Sequence, residues 1–337
     1  MRSTPPVEID AVPAPRRSRL PGRVLRFACS AAALLWIVHV TPLNTIAVAL
    51  QRADWRWLLL GMVLNILVRV AAAERTLVIS RALGLGVTRR QTLETLFISN
   101  YYALLSPGPL LSGVVSVYRY KSQGASITAS VATLLGSRAI EAGVFVVLGA
   151  ACVLMDSRIP LAAIRIPLSI ALAAVIVIGI GLIGWSLLHR RRTGLQTSGR
   201  MPEPRSDSWF SKLLVVWHEL MGRGPRIVWE AAVPAAAQVI LSGAAVSLLA
   251  RALDIDLGLD TAIWISAAVY AVVLLPISFA GLGVRDITLI KSFGLLGLAP
   301  PLAVALSVLL FADPLLNALI GGLWQMTSTW GAAREPA

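Results

Sequence analysis

Charged residues are scarce in this sequence, because Asp, Glu, Lys and Arg together make up 14% of its 337 residues. Soluble domains contain about 25% charged residues on average, and here 57% of the residues are hydrophobic. This scarcity of charge excludes an ordinary soluble globular protein. It indicates a polytopic membrane protein instead.

Cysteine and histidine are also rare. The two cysteines, Cys29 and Cys152, both fall in apolar runs and form no CxxC motif, and the three histidines lie far apart. We therefore predict no disulfide framework, no metal site and no other cofactor. The net charge of +13 does not indicate nucleic acid binding, because the basic residues cluster between apolar runs.

Long apolar runs are what the sequence has in abundance, and about 20 apolar residues suffice for a helix that crosses a bilayer. The predicted spans begin with a run from about Leu25 and continue with Trp57 to Ile79, Ile127 to Met155, Ile166 to Leu188, Val228 to Ala250 and Leu302 to Met326. A cleaved signal peptide is the alternative for the first run. The expected fold is all-α, with about six spanning helices within residues 25–327, a disordered tail over 1–24 and a short tail over 328–337.

Two further apolar segments are interrupted by proline and glycine. The segment from Thr92 to Tyr118 is cut by "SPGPLLSG", and the segment from Thr261 to Leu298 is cut by "LLPISFAGLGVRD". The first apolar piece of each has about 15 residues and reaches about 20 Å, short of the hydrocarbon core of about 30 Å. We predict two re-entrant helical hairpins, and the alternative is a spanning helix that is kinked for packing.

The distribution of Lys and Arg predicts the topology. If neither hairpin crosses, 20 basic residues lie on one side of the membrane and 5 on the other. The richer side is then cytoplasmic, and it holds both termini, the linker over 189–227 and both ends of the first hairpin. Two broken segments that enter from opposite faces are typical of an inverted repeat with a site near the membrane midplane.

The second break carries features of an anion site. A half-helix that begins after Gly281 or Gly283 would point its positive N-terminal end at a cavity, and Arg285 would add a full charge. Asp286 leaves a second interpretation open, in which it neutralises Arg285.

Arg138 and Glu141 lie near the middle of the span from Ile127 to Met155, and their spacing of three places both on one helical face. Asn65 and Arg69 form a similar pair at a spacing of four. A charge at the bilayer centre costs about 3 kcal/mol or more unless it is paired or hydrated, so we expect the face with Glu141 to point inward. Two interpretations of this pair remain open: a structural ion pair, or residues that line a pathway for a polar lipid or an ion.

These motifs resemble the transmembrane region of the lysylphosphatidylglycerol synthase family, which are flippase-like bacterial membrane proteins. The resemblance is carried by "LPISFAGLGVRD", "SRAIE" and "NYYALLSPG", and it extends from about Leu25 to Met326. It implies a multi-pass protein of the inner membrane that moves lipids with large polar heads. The final "TSTWGAAREPA" leaves no room for a soluble synthase domain, so we expect a stand-alone form that works beside a separate lipid-synthesising enzyme.

The resemblance also implies which residues contact a lipid head group or line its cavity. They are Pro276, Ser278, Gly281, Gly283, Arg285, Asp286, Arg138, Glu141, Asn100, Pro107 and Arg119. The first hairpin departs from the family pattern of Gly-Gly, an acidic residue and then arginine. It has Ser112 and Gly113, no acidic residue, and its arginine only at Arg119.

The expected function is that of a lipid translocase which moves a polar or anionic membrane lipid and performs no covalent chemistry. One alternative is a membrane-embedded transferase that acts on a lipid carrier and needs an acidic cluster or a general base. Asp254 and Asp256 are the nearest candidates for that role. The other alternative is a membrane scaffold that transports nothing.

Overall fold

The computed structural model describes residues 48, 51–105, 110–159, 225–273 and 283–332. Within these ranges the chain forms eight helices and no β-strand, which confirms the predicted all-α class for this part of the chain. In chain order the helices are α1 (Trp55–Ala82), α2 (Arg89–Leu105), α3 (Leu110–Ser122), α4 (Ile127–Met155), α5 (Pro225–Arg251), α6 (Leu259–Val273), α7 (Val284–Leu295) and α8 (Pro300–Ala332).

Several predicted features lie outside the described residues. They are the N-terminal tail, the first span from about Leu25, the span from Ile166 to Leu188, most of the linker over 189–227, and Pro107, Pro276, Ser278 and Gly281.

Four of the described helices, α1, α4, α5 and α8, are long and apolar enough to cross a membrane. Their apolar stretches have 26 to 29 residues, which corresponds to about 40 Å of helix against a hydrocarbon core of about 30 Å. Large apolar side chains such as Leu60, Val63 and Leu323 are exposed on their outer faces, as lipid contact requires. The protein is therefore embedded in a membrane, and four of the predicted spans are confirmed as helices of sufficient length.

Helices α1, α4 and α5 form the centre of the described bundle. Helices α1 and α5 run antiparallel, because the Asp54 N–H donates to the Ala252 carbonyl (2.9 Å) while Gly61 faces Leu249. A β-carbon added to Gly61 would lie 3.0 Å from the Leu249 side chain, so this glycine permits close packing. Helix α4 runs parallel to α5. We name the two ends of the bundle after Trp55 and Ala82, the first and last residues of α1.

Helices α2 and α3 form an antiparallel pair at the Ala82 end. The Ser99 and Ser116 hydroxyls are 2.8 Å apart, and Arg119 pairs with Glu94 at 2.5 Å. Tyr120, near the end of α3, is buried in the same cluster as the loop that follows α1. With 17 and 13 residues, the two helices measure about 25 and 20 Å. Both therefore begin or end at the Ala82 end and are shorter than a membrane core.

Helices α6 and α7 form a second pair of short helices, which is anchored at the Trp55 end. Helix α6 runs antiparallel to α4, because the Thr261 hydroxyl donates to Asp156 (2.8 Å) and the Tyr270 ring stacks on Phe145 (centroids 4.2 Å apart). Phe293, near the end of α7, is buried in the same cluster as the loop that precedes α6. The two helices have 15 and 12 residues, or about 22 and 18 Å.

Helix α8 runs from the Trp55 end to the Ala82 end and packs against α2. A β-carbon added to Gly321 would clash with the Phe97 carbonyl, so glycine is required for this approach of the two backbones. The Phe97 ring stacks on Trp324 with centroids 6.1 Å apart, and Tyr101 lies over Gly322. The first short pair of helices is thus held against a long one.

Candidate functional site

A buried polar cluster, which we call the central cluster, lies where α1, α4 and α5 meet in the middle of the bundle. It consists of Arg75, Arg138, Glu141 and Gln238. Its centre is Glu141 of α4, whose carboxylate pairs with Arg75 of α1 at 3.2 Å and with Arg138 of α4 at 2.9 Å. Gln238 of α5 donates to the other carboxylate oxygen at 2.7 Å. The side chains of Arg75 and Glu141 are each 4% exposed. One carboxylate therefore ties three apolar helices together.

Arg75 is satisfied on several sides. Its Nε donates to the Ser137 hydroxyl at 3.0 Å, and its Nη1 donates to the Gln238 side-chain oxygen. The Ser137 hydroxyl in turn lies 3.0 Å from the Thr76 hydroxyl. A buried charge is tolerated only when it is paired and its remaining hydrogen bonds are made. These contacts meet that condition and fix Arg75 in place.

Arg138 differs from its partners because 51% of its side chain is exposed, although it lies midway along α4. Helical periodicity shows the direction in which it points. Phe145 and Gly149 follow Arg138 by about two and three turns, so the three residues share one face of α4. That face packs on α6, where Phe145 stacks on Tyr270 and Gly149 approaches Ala267 closely.

The same register places Arg138 about one turn beyond Val273, which is the last described residue of α6. The free part of Arg138 therefore faces the α6 side of α4. The Tyr270 hydroxyl is buried and lies within electrostatic reach of both Arg138 and Glu141. A half-exposed guanidinium and a phenol hydroxyl thus lie side by side.

The residues predicted at the second break form the start of α7. Gly283 has φ 80°, a left-handed conformation that favours glycine, and its N–H donates to the Asp286 carboxylate at 2.8 Å. The Ser307 hydroxyl of α8 donates to Asp286 and accepts from Arg285 Nε at 2.9 Å. The Arg285 guanidinium also lies over the Phe311 ring, 5.7 Å from its centroid. Asp286 therefore caps α7, and Arg285 docks α7 on α8.

Arg285 and Asp286 form a loose ion pair, since their closest charged atoms are 3.8 Å apart. Both side chains are 9% exposed. The Asp286 carboxylate is shared among the helix cap, Ser307 and Arg285, so neutralising Arg285 is one of three roles it fills.

Two further ion pairs join other helices. Arg69 of α1 pairs with Asp313 of α8 at 2.6 Å, and Asn317 donates to the same carboxylate at 2.7 Å. Packing of α8 against α1 thus supplies Arg69 with a charged partner that its spacing from Asn65 did not indicate. Arg119 pairs with Glu94 inside the α2–α3 pair, and Asn100 of α2 is partly buried.

Several buried side-chain atoms in these clusters have no hydrogen-bond partner among the described residues. They are Arg69 Nε, Asn317 Oδ1, Arg119 Nε, Thr95 Oγ1 and Gln123 Oε1. Burying such a group without a partner costs about 1–3 kcal/mol, and water or a polar ligand commonly satisfies it. The described contacts do not join Asn100 or Arg119 to the central cluster.

Asp156 fixes α6 against the end of α4, just outside the apolar stretch. Its carboxylate accepts from the Arg158 N–H and Nε (both 3.1 Å), from Thr261 (2.8 Å) and from Trp264 Nε1 (3.1 Å). Burial alone would raise the pKa of Asp156, but the hydrogen bonds from Trp264, Thr261 and Arg158 lower it from 3.8 to about 2. This carboxylate therefore remains charged and holds the helix on which the Arg138 face packs.

The acidic residues considered for a transferase lie at the Trp55 end. Asp254 and Asp256 follow α5, and the Asp256 side chain is 90% exposed and 3.7 Å from Arg251. Over the described ranges, no group of three or more His, Cys, Asp or Glu side chains could hold a metal ion.

The central arginine, Arg75, was not predicted as a site residue. Its position within an apolar run was visible in the sequence, but nothing local indicates its partner, because Glu141 lies 66 positions further along the chain. Gln238, a lone amide in the apolar α5, was an equally weak signal.

Comparison with known families agrees with the motifs. The profile of the family described as the lysylphosphatidylglycerol synthase TM region matches residues 23–321. This match covers nearly the whole chain, so the chain belongs to that family, and the expected resemblance is confirmed. Among proteins of curated function, no significant match is found.

Proposed function

We propose that this member of the family is a lipid translocase, which carries a lipid with a polar head group between the two leaflets of the bacterial inner membrane. The half-exposed Arg138, joined to Glu141 and Arg75 in an apolar bundle, carries this proposal. Exposing a charge within the membrane costs about 3 kcal/mol or more, and a purely structural ion pair would bury both partners. A head group that crosses the bilayer needs such a polar surface midway.

The two pairs of short helices support a transport mechanism. The α2–α3 pair is anchored at the Ala82 end and the α6–α7 pair at the Trp55 end, and each helix is too short to cross the core. We propose that both pairs are re-entrant hairpins within an inverted repeat of about six spans. Transporters of that kind bind their substrate near the midplane and open alternately to the two sides.

The proposed topology places the Ala82 end in the cytoplasm, with both termini on that side. The excess of basic residues, 20 against 5, supports this orientation. Reporter tags at residue 1, within the linker from Arg190 to Arg205 and after Ala337 should all report a cytoplasmic location. An external C-terminus would show that one of the two pairs of helices crosses the membrane.

Lipid transport is tested in liposomes that contain the purified protein and a fluorescent lipid in both leaflets. A reductant that does not cross the bilayer bleaches the outer leaflet, and further bleaching measures movement from the inner one. We expect faster movement than in protein-free liposomes for at least one lipid of a panel. The Arg226→Gln variant is the matched control, because Arg226 forms an exposed pair with Glu230 far from the cluster.

Two outcomes would contradict the proposal. If folded protein moves no lipid of the panel faster than protein-free liposomes, the translocase assignment is wrong. If mass spectrometry of the same liposomes reveals a covalently changed lipid, a transferase is the better assignment.

A further inference from the structure

We infer that the central cluster selects a lipid whose head group carries a net negative charge, and that it discriminates against cationic head groups. This inference rests on the proposed function, because it names the substrate class of the same site. Its basis is the excess of positive charge at the one accessible guanidinium of the cluster.

The cluster contains two positive charges and one negative charge. Arg75 and Arg138 share the single carboxylate of Glu141, and the other polar neighbours, Gln238 and Tyr270, are neutral. The net charge of this group is therefore +1. In an apolar bundle such a charge is poorly screened, so it favours an anion strongly.

The other ion pairs within the described helices are balanced. They are Arg69 with Asp313, Arg119 with Glu94, Arg285 with Asp286, Arg89 with Glu74, and Arg226 with Glu230. Each has one cation and one carboxylate, so none of them has charge left for a ligand. The central cluster differs from them in this respect.

Exposure shows where a ligand would meet the excess charge. Arg75 is 4% exposed and already donates to Ser137 and Gln238, whereas Arg138 is 51% exposed and reaches Glu141 through Nη1. A guanidinium has five N–H donors and can hold two phosphate oxygens at once. The phosphate of a lipid head group fits the exposed side of Arg138.

A cationic head group meets the opposite situation. Its ammonium or guanidinium would approach two arginines, and the one carboxylate nearby is already paired with both. A single charge-assisted hydrogen bond, made or missing, changes binding by roughly tenfold or more. We therefore expect at least about a tenfold difference in affinity between anionic and cationic lipids of equal chain length.

The test measures binding separately from transport. Protein in nonionic detergent is titrated with short-chain phosphatidylglycerol, phosphatidylcholine and a cationic aminoacyl ester of phosphatidylglycerol, and the dissociation constants are read from tryptophan fluorescence. The expected order of affinity is anionic, then zwitterionic, then cationic, and the differences should shrink as salt screens the charge. Equal affinities, or the reverse order, would overturn the inference.

Variants at Arg138 locate the effect. Arg138→Gln should reduce the preference to about threefold or less, whereas Arg138→Lys should keep its sign and bind more weakly, since lysine retains the charge without the planar fork. Arg226→Gln should bind as the wild type does. If Arg138→Gln is folded by its melting curve and keeps the full preference, the assignment to this cluster is wrong.

Two further measurements distinguish binding of a lipid from binding of free phosphate, and charge selection from transport. Inorganic phosphate should compete weakly, and a phosphate ion that binds as tightly as the short-chain lipid would contradict selection of a lipid. If the affinity order holds but no lipid moves in liposomes, the proposed translocase fails while the charge selection stands. If lipids move at equal rates and also bind with equal affinity whatever their charge, the translocase stands and the charge selection fails.

Discussion

Removing Glu141 should destabilise the protein more than removing its buried partner Arg75. The two charges lie 3.2 Å apart, where an effective dielectric constant of about 20 gives an attraction of about 5 kcal/mol before desolvation is subtracted. Truncating one member of a buried pair typically costs about 3–5 kcal/mol, because the other charge is stranded. We expect this full cost for Glu141→Leu, which leaves Arg75 among the neutral Ser137 and Gln238.

The reverse truncation should cost less. After Arg75→Leu, the Glu141 carboxylate still has Arg138 at 2.9 Å and Gln238 at 2.7 Å. The double variant removes the stranded charge, so it should be more stable than Glu141→Leu alone. This recovery is the signature of coupling between two residues in contact.

The assay is unfolding of the purified protein in mild detergent by heating and, separately, by titration with a denaturing detergent. The control is the same set of variants at Arg226 and Glu230, whose side chains are 89% and 47% exposed and paired at 2.6 Å. Exposed pairs contribute about 0–1 kcal/mol, so those variants should all unfold near the wild type. If the Arg75→Leu/Glu141→Leu double variant unfolds at no higher temperature or denaturant concentration than Glu141→Leu, the two charges are not coupled and our interpretation of the cluster is wrong.

Three other predictions concern contacts outside the central cluster. The pKa of Asp156 is lowered from 3.8 to about 2, so its charged form contributes about 2 kcal/mol to the free energy of unfolding. This contribution is present above pH 3.8 and is lost as the pH falls towards 2. The difference in melting temperature between the wild type and Asp156→Asn should therefore close over that range. Gly321→Ala should destabilise the protein by about 1–3 kcal/mol, because its β-carbon would clash with the Phe97 carbonyl. Gly294→Ala is the control, since it has open space around it, and it should melt at or above the temperature of the wild type. Equal melting temperatures of the two variants would refute the predicted clash. Arg285→Lys should melt below the wild type, because lysine cannot reproduce the guanidinium contacts with Ser307 and Phe311 that dock α7 on α8; a melting temperature equal to that of the wild type would refute this docking role.

The long helices were predictable because their cause is local in the sequence. A run of about 20 apolar residues is sufficient for a span whatever it packs against, so α1, α4, α5 and α8 were found from composition. Their ends were less predictable. Helix α4 has the predicted bounds, Ile127–Met155, and Ser126 caps it. By contrast, α5 begins at Pro225 and not at Val228, and α8 extends to Ala332, beyond the apolar run that ends at Met326.

The central site was predictable only where helix geometry determines it. Arg138 and Glu141 meet because they are one turn apart on the same helix, and their spacing alone revealed that contact. The pairing of Arg75 with Glu141 depends on which helices pack together and on their rotation, and a single sequence contains no direct record of either. The pairing of Arg69 with Asp313 escaped prediction for the same reason.

Substitution of Arg138 should affect lipid transport much more than it affects stability, and this difference tests the proposed site. Glu141 retains Arg75 and Gln238 without Arg138, and the loss of Arg138 also removes a like charge near Arg75. Because Arg138 is half exposed, Arg138→Leu should cost about 1 kcal/mol or less in stability. If Arg138 contacts the head group, the same change should abolish most lipid transport in liposomes. A variant that melts near the wild type and also transports at the wild-type rate would show that Arg138 has no part in lipid handling, whereas one that unfolds like Glu141→Leu would show that it serves the structure.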